Sequence, residues 1–483
     1  MQILDYEAQP TAAEHVTDAA ITTAIELLFL TKKGVATHLI GVTTYEGIVV
    51  LTGIIDNLLA RERAEEIALA VRGVRGVVNE LLIGTADVPD EELHRHVTTA
   101  LANDPAASDY NVHCTAHDGV VTLTGTVQSW VEKQLAVRVV RGVQGVRGLV
   151  TEEVIIRWGE IHNSDDEITI QVRELLDWDI RVSNALVEIR THEQVVYMSG
   201  TVGTAAEKAH VVAIAYQAGA NHVEARDLLV AYWALNHELH RIKAAARSDE
   251  DIAKAVLDTF RFDPRVLSYQ PIVLVHNGIV TLSGAVSNLR AKQEAERDAS
   301  HVVGMWNVHN LLKVRTNRFI PDMHIGQTIR EALARNPHVG GCEFSVYVRN
   351  GKTQLYGQVS IHFEQEQEQA GAVASGVNGV AEVDNWVSVP GSPGSDGFQP
   401  YAWKSTLTRP NPDFALAERI RIRLFWSASL YAQHIEVFTK KGCATLTGTV
   451  DTWLDREQAT DAAYAAGATT VANDLVVWTP NKL

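Results

Sequence analysis

Apolar and polar residues alternate along short stretches of the chain, and stretches with helical spacing lie between them. Ile272–Val275 and Ile279–Ser283 alternate as half-buried strands do. Ahead of them Ile252, Ala255, Val256 and Phe260 fall on one helical face, as do Ile21, Ala24, Ile25 and Leu28, and Ile325, Ile329, Ala332 and Leu333. A second helical stretch, rich in Ala and Glu or Arg, follows the strands, as in Glu132–Val140 and Arg290–Ala299. A last strand closes each cycle: Val77–Ile83, Leu149–Ile156, Val223–Val230, Val308–Val314, Val383–Val389 and Val471–Trp478. The cycle is helix–strand–strand–helix–strand, and it recurs.

Glycines set its period. A phrase of the form V-T-L-T-G ends at Gly53, Gly125, Gly200, Gly284, Gly357 and Gly448, spaced 72, 75, 84, 73 and 91 residues apart. Six positions earlier stands Gly47, Gly119, Gly278, Gly351 or Gly442, with Gln194 in the third copy. A third glycine follows at Gly73, Gly145, Gly219, Gly304, Gly379 and Gly467. The first glycine marks a tight hairpin, as in Glu46-Gly47 and Asn277-Gly278. The second is expected to end the second strand in a sharp bend, and the third to end the second helix. Acidic runs such as Asp165-Asp166-Glu167 and Asp249-Glu250-Asp251 open the first helices and suit their positive dipole ends.

These patterns predict an α+β fold: six tandem αββαβ modules, each a small three-stranded sheet covered on one face by two helices. The boundaries read 16–84, 90–158, 165–233, 248–316, 322–389 and 413–479, with a Gly-, Pro- and Ser-rich linker at 390–412. Tyr232–Arg247, between the third and fourth modules, has helical spacing. Length alone would suggest about three domains. The repeat replaces that with six modules, each small enough to depend on its neighbours for stability.

Composition narrows the function classes. Lys and Arg total 42 against 59 Asp and Glu, a formal charge of −17, which disfavours nucleic acid and anionic lipid at long range. Cys114, Cys342 and Cys443 lie far apart and form no CxxC or disulfide framework. The start, Met1-Gln2-Ile3-Leu4-Asp5, lacks a basic, then apolar, leader, and no run of about 18 apolar residues occurs. A cytoplasmic location is therefore expected.

The glycine-ended phrase, the hairpin glycine and the closing phrase Gly73-Val74-Arg75-Gly76-Val77-Val78-Asn79-Glu80-Leu81, repeated at Gly304–Leu312 and more loosely at Gly467–Leu475, resemble the BON domain. Six such copies cover nearly the whole chain. The third copy departs at the hairpin, and the third and fifth diverge in the closing phrase. The resemblance implies a non-catalytic module. Family members are associated with periplasmic osmotic-stress protection, phospholipid binding and cytoplasmic potassium sensing, so a periplasmic setting stays open beside the cytoplasmic one.

Candidate contact residues fall in two sets. The hairpin tips carry Tyr45, His117, His192, His276, Arg349 and Lys440, which are solvated turn residues or, if the repeats stack, a row of pH-responsive contacts. Leu58, Trp130, Leu289 and Trp453 each stand five residues after the phrase glycine, where the second helix begins. They are either hydrophobic staples or anchors for a partner or a bilayer. No catalytic residue and no metal ligand set is read. His113-Cys114-x-x-His117 would place Cys114 opposite the histidines on a strand, and His237-Glu238-Leu239-His240 has the wrong spacing for a zinc-protease helix. No cofactor is expected.

Two functions remain. One is a scaffold that self-associates or holds another protein, with outer sheet faces bearing Tyr197, Trp233, Trp306, Trp386 and Trp478 packed on another repeat, within the chain or in a second chain. The other is a ligand-binding module for phospholipid headgroups or a monovalent cation such as potassium.

Overall fold

The computed structural model describes residues 16–31, 40–55, 57–84, 87–157, 164–182, 184–231, 234, 247–267, 269–316, 318–358, 364–388, 412–431 and 433–478. The Trp233 assignment, the HELH stretch and most of the 232–247 and 390–412 segments lie outside them. Six αββαβ units are present, each with two helices on one face of a small sheet.

The first module illustrates the plan. Helix Asp18–Thr31 leads into strands Ile40–Tyr45 and Ile48–Ile55, helix Leu58–Leu69 and strand Gly76–Ile83. The hairpin strands pair antiparallel, with Val42 opposite Leu51. The closing strand then adds parallel to the second, with Asn79 opposite Leu51, so the middle strand of the sequence is also the middle of the sheet. Alternation sends Val49, Leu51 and Ile55 inward, where they meet Ile21, Ile25 and Ile67. Full burial of each such side chain contributes about 1.5–3 kcal/mol. Second helices start on a capping side chain, Asn57, Ser129, Thr204, Asn288 or Thr452, that accepts the backbone N–H three residues on.

Three closing strands are broken rather than continuous. They split into Gly148–Val150 and Val154–Ile156, His222–Glu224 and Leu228–Val230, and Asn307–Asn310 and Lys313–Val314. In two of these a local turn causes the break, where Val154 donates to Thr151 and Leu228 to Ala225.

The phrase glycine also differs from its expected place in five modules, whereas Gly284 follows strand Ile279–Ser283 as expected. Gly125 lies within strand Val120–Val127, not at its end. A Cβ there would come within 2.1 Å of the Asn111 carbonyl oxygen, and its φ is +126°. The residue is glycine because the neighbouring backbone presses against it. Gly200 and Gly448 repeat this against Leu186 and His434.

A further correction concerns the outer sheet faces. Within the chain they are not covered by other repeats: Tyr197, Trp306 and Trp386 are 46, 38 and 64% exposed, and Trp478 is half-buried. Modules meet through the ends of their helices instead, because those ends carry apolar side chains that a single small sheet cannot cover. Among the described residues no helix is long and apolar enough to cross a membrane.

Candidate functional site

The residue that opens the second helix is where modules join. Leu58 packs against the core of module two, and Arg141 of module two pairs with Glu62 at 2.9 Å. Trp130 of module two stacks on Tyr216 of module three, 5.6 Å between centroids. Ala205, in the same slot of module three, is buried in the core of module one. The first three modules therefore close a triangle through their second helices. Modules four to six repeat two of its sides. Leu289 donates its N–H to Val380 of module five at 2.8 Å, and Trp453 of module six packs against the core of module four. All four candidate anchors thus touch another module of the same chain, and Trp453 also lies under the Arg456 guanidinium of its own module, 4.8 Å from the ring centroid.

A second kind of contact joins the two halves. The end of a second helix in one half donates a backbone N–H to the end of a first helix in the other. Arg72 donates to Trp426 at 3.1 Å, Gln144 to Arg335 at 2.9 Å and Val303 to Trp178 at 3.0 Å. Module one so meets six, two meets five, and three meets four. The Arg72 guanidinium also lies over the rings of Tyr431 and Phe425, at 4.2 and 5.2 Å. Ile180 returns an N–H to His301 at 2.9 Å across the three–four contact.

Polar groups concentrate where modules two, three and four converge, around a cavity of about 760 Å³. Asp179 binds both Arg181 and His210 at 2.6 Å. Burial pushes its carboxyl up, but Arg181 and His210 outweigh burial and hold it well below the usual range. His301 is pushed down to about 3, first by burial and then by the Arg181 charge. Arg265 of module four reaches Asp104 of module two at 3.3 Å, both side chains mostly buried. Burial, helped by Glu132, raises the Tyr110 hydroxyl. A second cavity of about 520 Å³ lies between modules one, three and six, lined by Ile67, His210, Trp426 and Asp461 among others.

The hairpin tips are exposed, each on its own sheet: Tyr45, His117, His192, His276, Arg349 and Lys440. Behind five of them lies a contact that composition alone does not suggest. A carboxylate in the first turn of the first helix accepts two hairpin N–H groups. Asp18 holds Glu46 and Gly47, Asp165 holds Glu193 and Gln194, Asp249 holds Asn277 and Gly278, Asp322 holds Asn350 and Gly351, and Asp413 holds Lys441 and Gly442, at 2.7–3.2 Å. Those backbone bonds lower the Asp249 and Asp413 carboxyls. The signal in the sequence is an aspartate a constant 28 residues ahead of the residue after each tip, whose N–H it holds. Module two keeps the spacing, Asp90 to Asp118, but differs in the contact: Asp90 lies 3.5 Å from His117, which also approaches Asp118. These three are the described residues grouped closely enough to share a metal ion, and His117 and Asp118 stand open to solvent. Cys114 turns inward toward Thr98 while His113 stays on the outer face.

Comparison with known proteins follows the modules. The BON domain family matches six times, over residues 17–85, 89–156, 164–231, 248–316, 321–391 and 412–478. Osmotically-inducible protein Y of Escherichia coli (strain K12) is 26% identical over 139 residues, which span 27% of this chain and 69% of that protein. Among solved structures, the C-terminal domain of CdsD, a structural protein of the type III secretion system of Chlamydia trachomatis, is 17% identical. That match covers 48% of this chain and all of that one, with a TM-score of 0.13.

Proposed function

The chain belongs to the BON domain family, and from that premise we propose that it is a non-catalytic, multivalent scaffold that binds protein, including further copies of itself, through its outer sheet faces. The observation that carries this reading is a division of surfaces. Helix ends are consumed in contacts between modules, which leaves the sheets facing outward with large apolar residues exposed. Leu82, Leu274, Tyr347 and Trp386 are each more than 60% exposed. Several weak faces on one body multiply into avidity when a partner engages more than one. The likeness to an osmotically inducible protein supports a stress-related setting.

Light scattering over a wide concentration range tests self-association. The expected result is a mass that rises with concentration and returns to that of one chain when Tyr347 and Trp386 are both replaced by Ser. A mass of one chain at every concentration overturns the self-associating form. Flotation with neutral phosphatidylcholine vesicles in place of any mass increase moves the assignment to lipid headgroups.

A further inference from the structure

The outer sheet face of module five departs from the other five at one position. The residue before the phrase glycine is Thr52, Thr124, Ser199, Ser283 or Thr447, but in module five it is Tyr356. Tyr356 lies on the middle strand, Lys352–Gln358. Its neighbour on the closing strand is Trp386, where modules one and six place Glu80 and Asp474. From the first strand Tyr347 meets it edge-on, 6.0 Å between ring centroids. All three rings are exposed. Tyr and Trp anchor protein interfaces more often than aliphatic residues such as the Leu82 and Leu274 of other modules do.

The pleat arranges the rest of this face in rows across the three strands. Nearest the hairpin stand Arg349, Lys352 and Glu382. The next row is Tyr347, Gln354 and Asp384, and the third is Ser345, Tyr356 and Trp386. One edge strand is thus basic near its tip and the other acidic, with the rings between them. Lys352, in the middle, is paired with Glu382.

This distribution is self-complementary. A second copy turned about a two-fold axis along the strands lays each edge strand over the opposite edge strand and keeps the rows. Arg349 then faces the partner's Glu382. Tyr347 offers its hydroxyl to the partner's Asp384. Tyr356 faces the partner's Tyr356, and Trp386 faces the small side chain of the partner's Ser345. Lys352 faces its own copy, each balanced by its own Glu382. A two-fold axis across the strands would instead set Asp384 against the partner's Asp384 and lay Glu382 over the partner's Trp386. The charges select the first arrangement.

We propose that the partner of module five's outer face is the same face of a second chain, paired about the axis along the strands into a closed dimer. This rests on the reading of the sheet faces as sites of self-association, and it adds which face, which partner and which register.

Light scattering on the full chain over a wide concentration range tests the pairing. The wild-type mass is expected to rise from one chain to two. Arg349→Glu and Glu382→Arg each set like charges face to face and should raise the dissociation constant about tenfold or more. Their equimolar mixture restores opposite charges at both corners and should return the dimer, which two misfolded variants could not do. If Glu382→Arg does not fold, Tyr356→Thr, the residue of modules one and six, replaces it and should leave single chains. A wild-type dimer that none of these variants weakens, or that the mixture of folded variants does not restore, overturns the module-five pairing alone. A wild-type mass of one chain at every concentration overturns the underlying self-association as well.

Discussion

The indole of Trp130 lies flat on the ring of Tyr216, 9° from parallel and 5.6 Å between centroids, and this pair joins module two to module three. One side chain at the start of a second helix touches another at the end of the next module's second helix. The same slot makes the other two sides of the triangle through Leu58 and Ala205.

Trp130→Ala therefore removes a contact between modules rather than within one. The expected cost is about 1–3 kcal/mol, from lost packing and lost stacking together. Chemical denaturation should show this as an earlier midpoint. The module-two sheet should keep its hydrogen-exchange protection when the variant is native.

Gly125→Ala places a Cβ against the Asn111 carbonyl and demands a φ that L residues rarely adopt. The expected loss is about 2 kcal/mol or more. Gly341, which has open space around its Cβ position, serves as the control. Urea midpoints for the two alanine variants should separate clearly, with Gly341→Ala close to the wild type.

Asp413 tests the hairpin clamp. Its carboxyl is lowered by the Gly442 and Lys441 backbone bonds. A lowered carboxyl stabilises above its unfolded value of 3.8, and the contribution is lost as pH falls through the folded value. Asp413→Asn should lower the melting temperature at pH 6 and narrow the gap to the wild type below pH 3, a comparison that thermal scans at the two pH values provide.

His301 should give the opposite edge of the curve. Because its folded value lies near 3 and its ordinary value at 6.5, it binds a proton more readily unfolded than folded in that window. The wild type should lose stability as pH falls there, by at most about 1.4 kcal/mol per unit from this group. His301→Gln should lose less between pH 6.5 and 4 in denaturation measured at fixed temperature.

Much of the module is legible in the amino-acid sequence. Hairpin glycines, capping residues such as Asn57 and Thr452, and the inward alternation of Val49 and Leu51 act over a few residues, so local sterics and hydrogen bonding determine them. The phrase glycine is visible as a repeat, but its place inside the strand is not, because its cause, the Asn111 carbonyl, belongs to another strand. The aspartate clamps look like helix-dipole partners for a similar reason: their second role lies 28 residues away, on the hairpin.

By itself the sequence determined six modules, their strand and helix order and their inner faces, since short-range geometry repeats wherever the same residues do. Only the tertiary structure decided that Trp130 meets Tyr216, that module one faces six and that Arg265 finds Asp104. Those choices depend on which apolar ends and buried charges complement each other across hundreds of residues, and no local period records that complementarity.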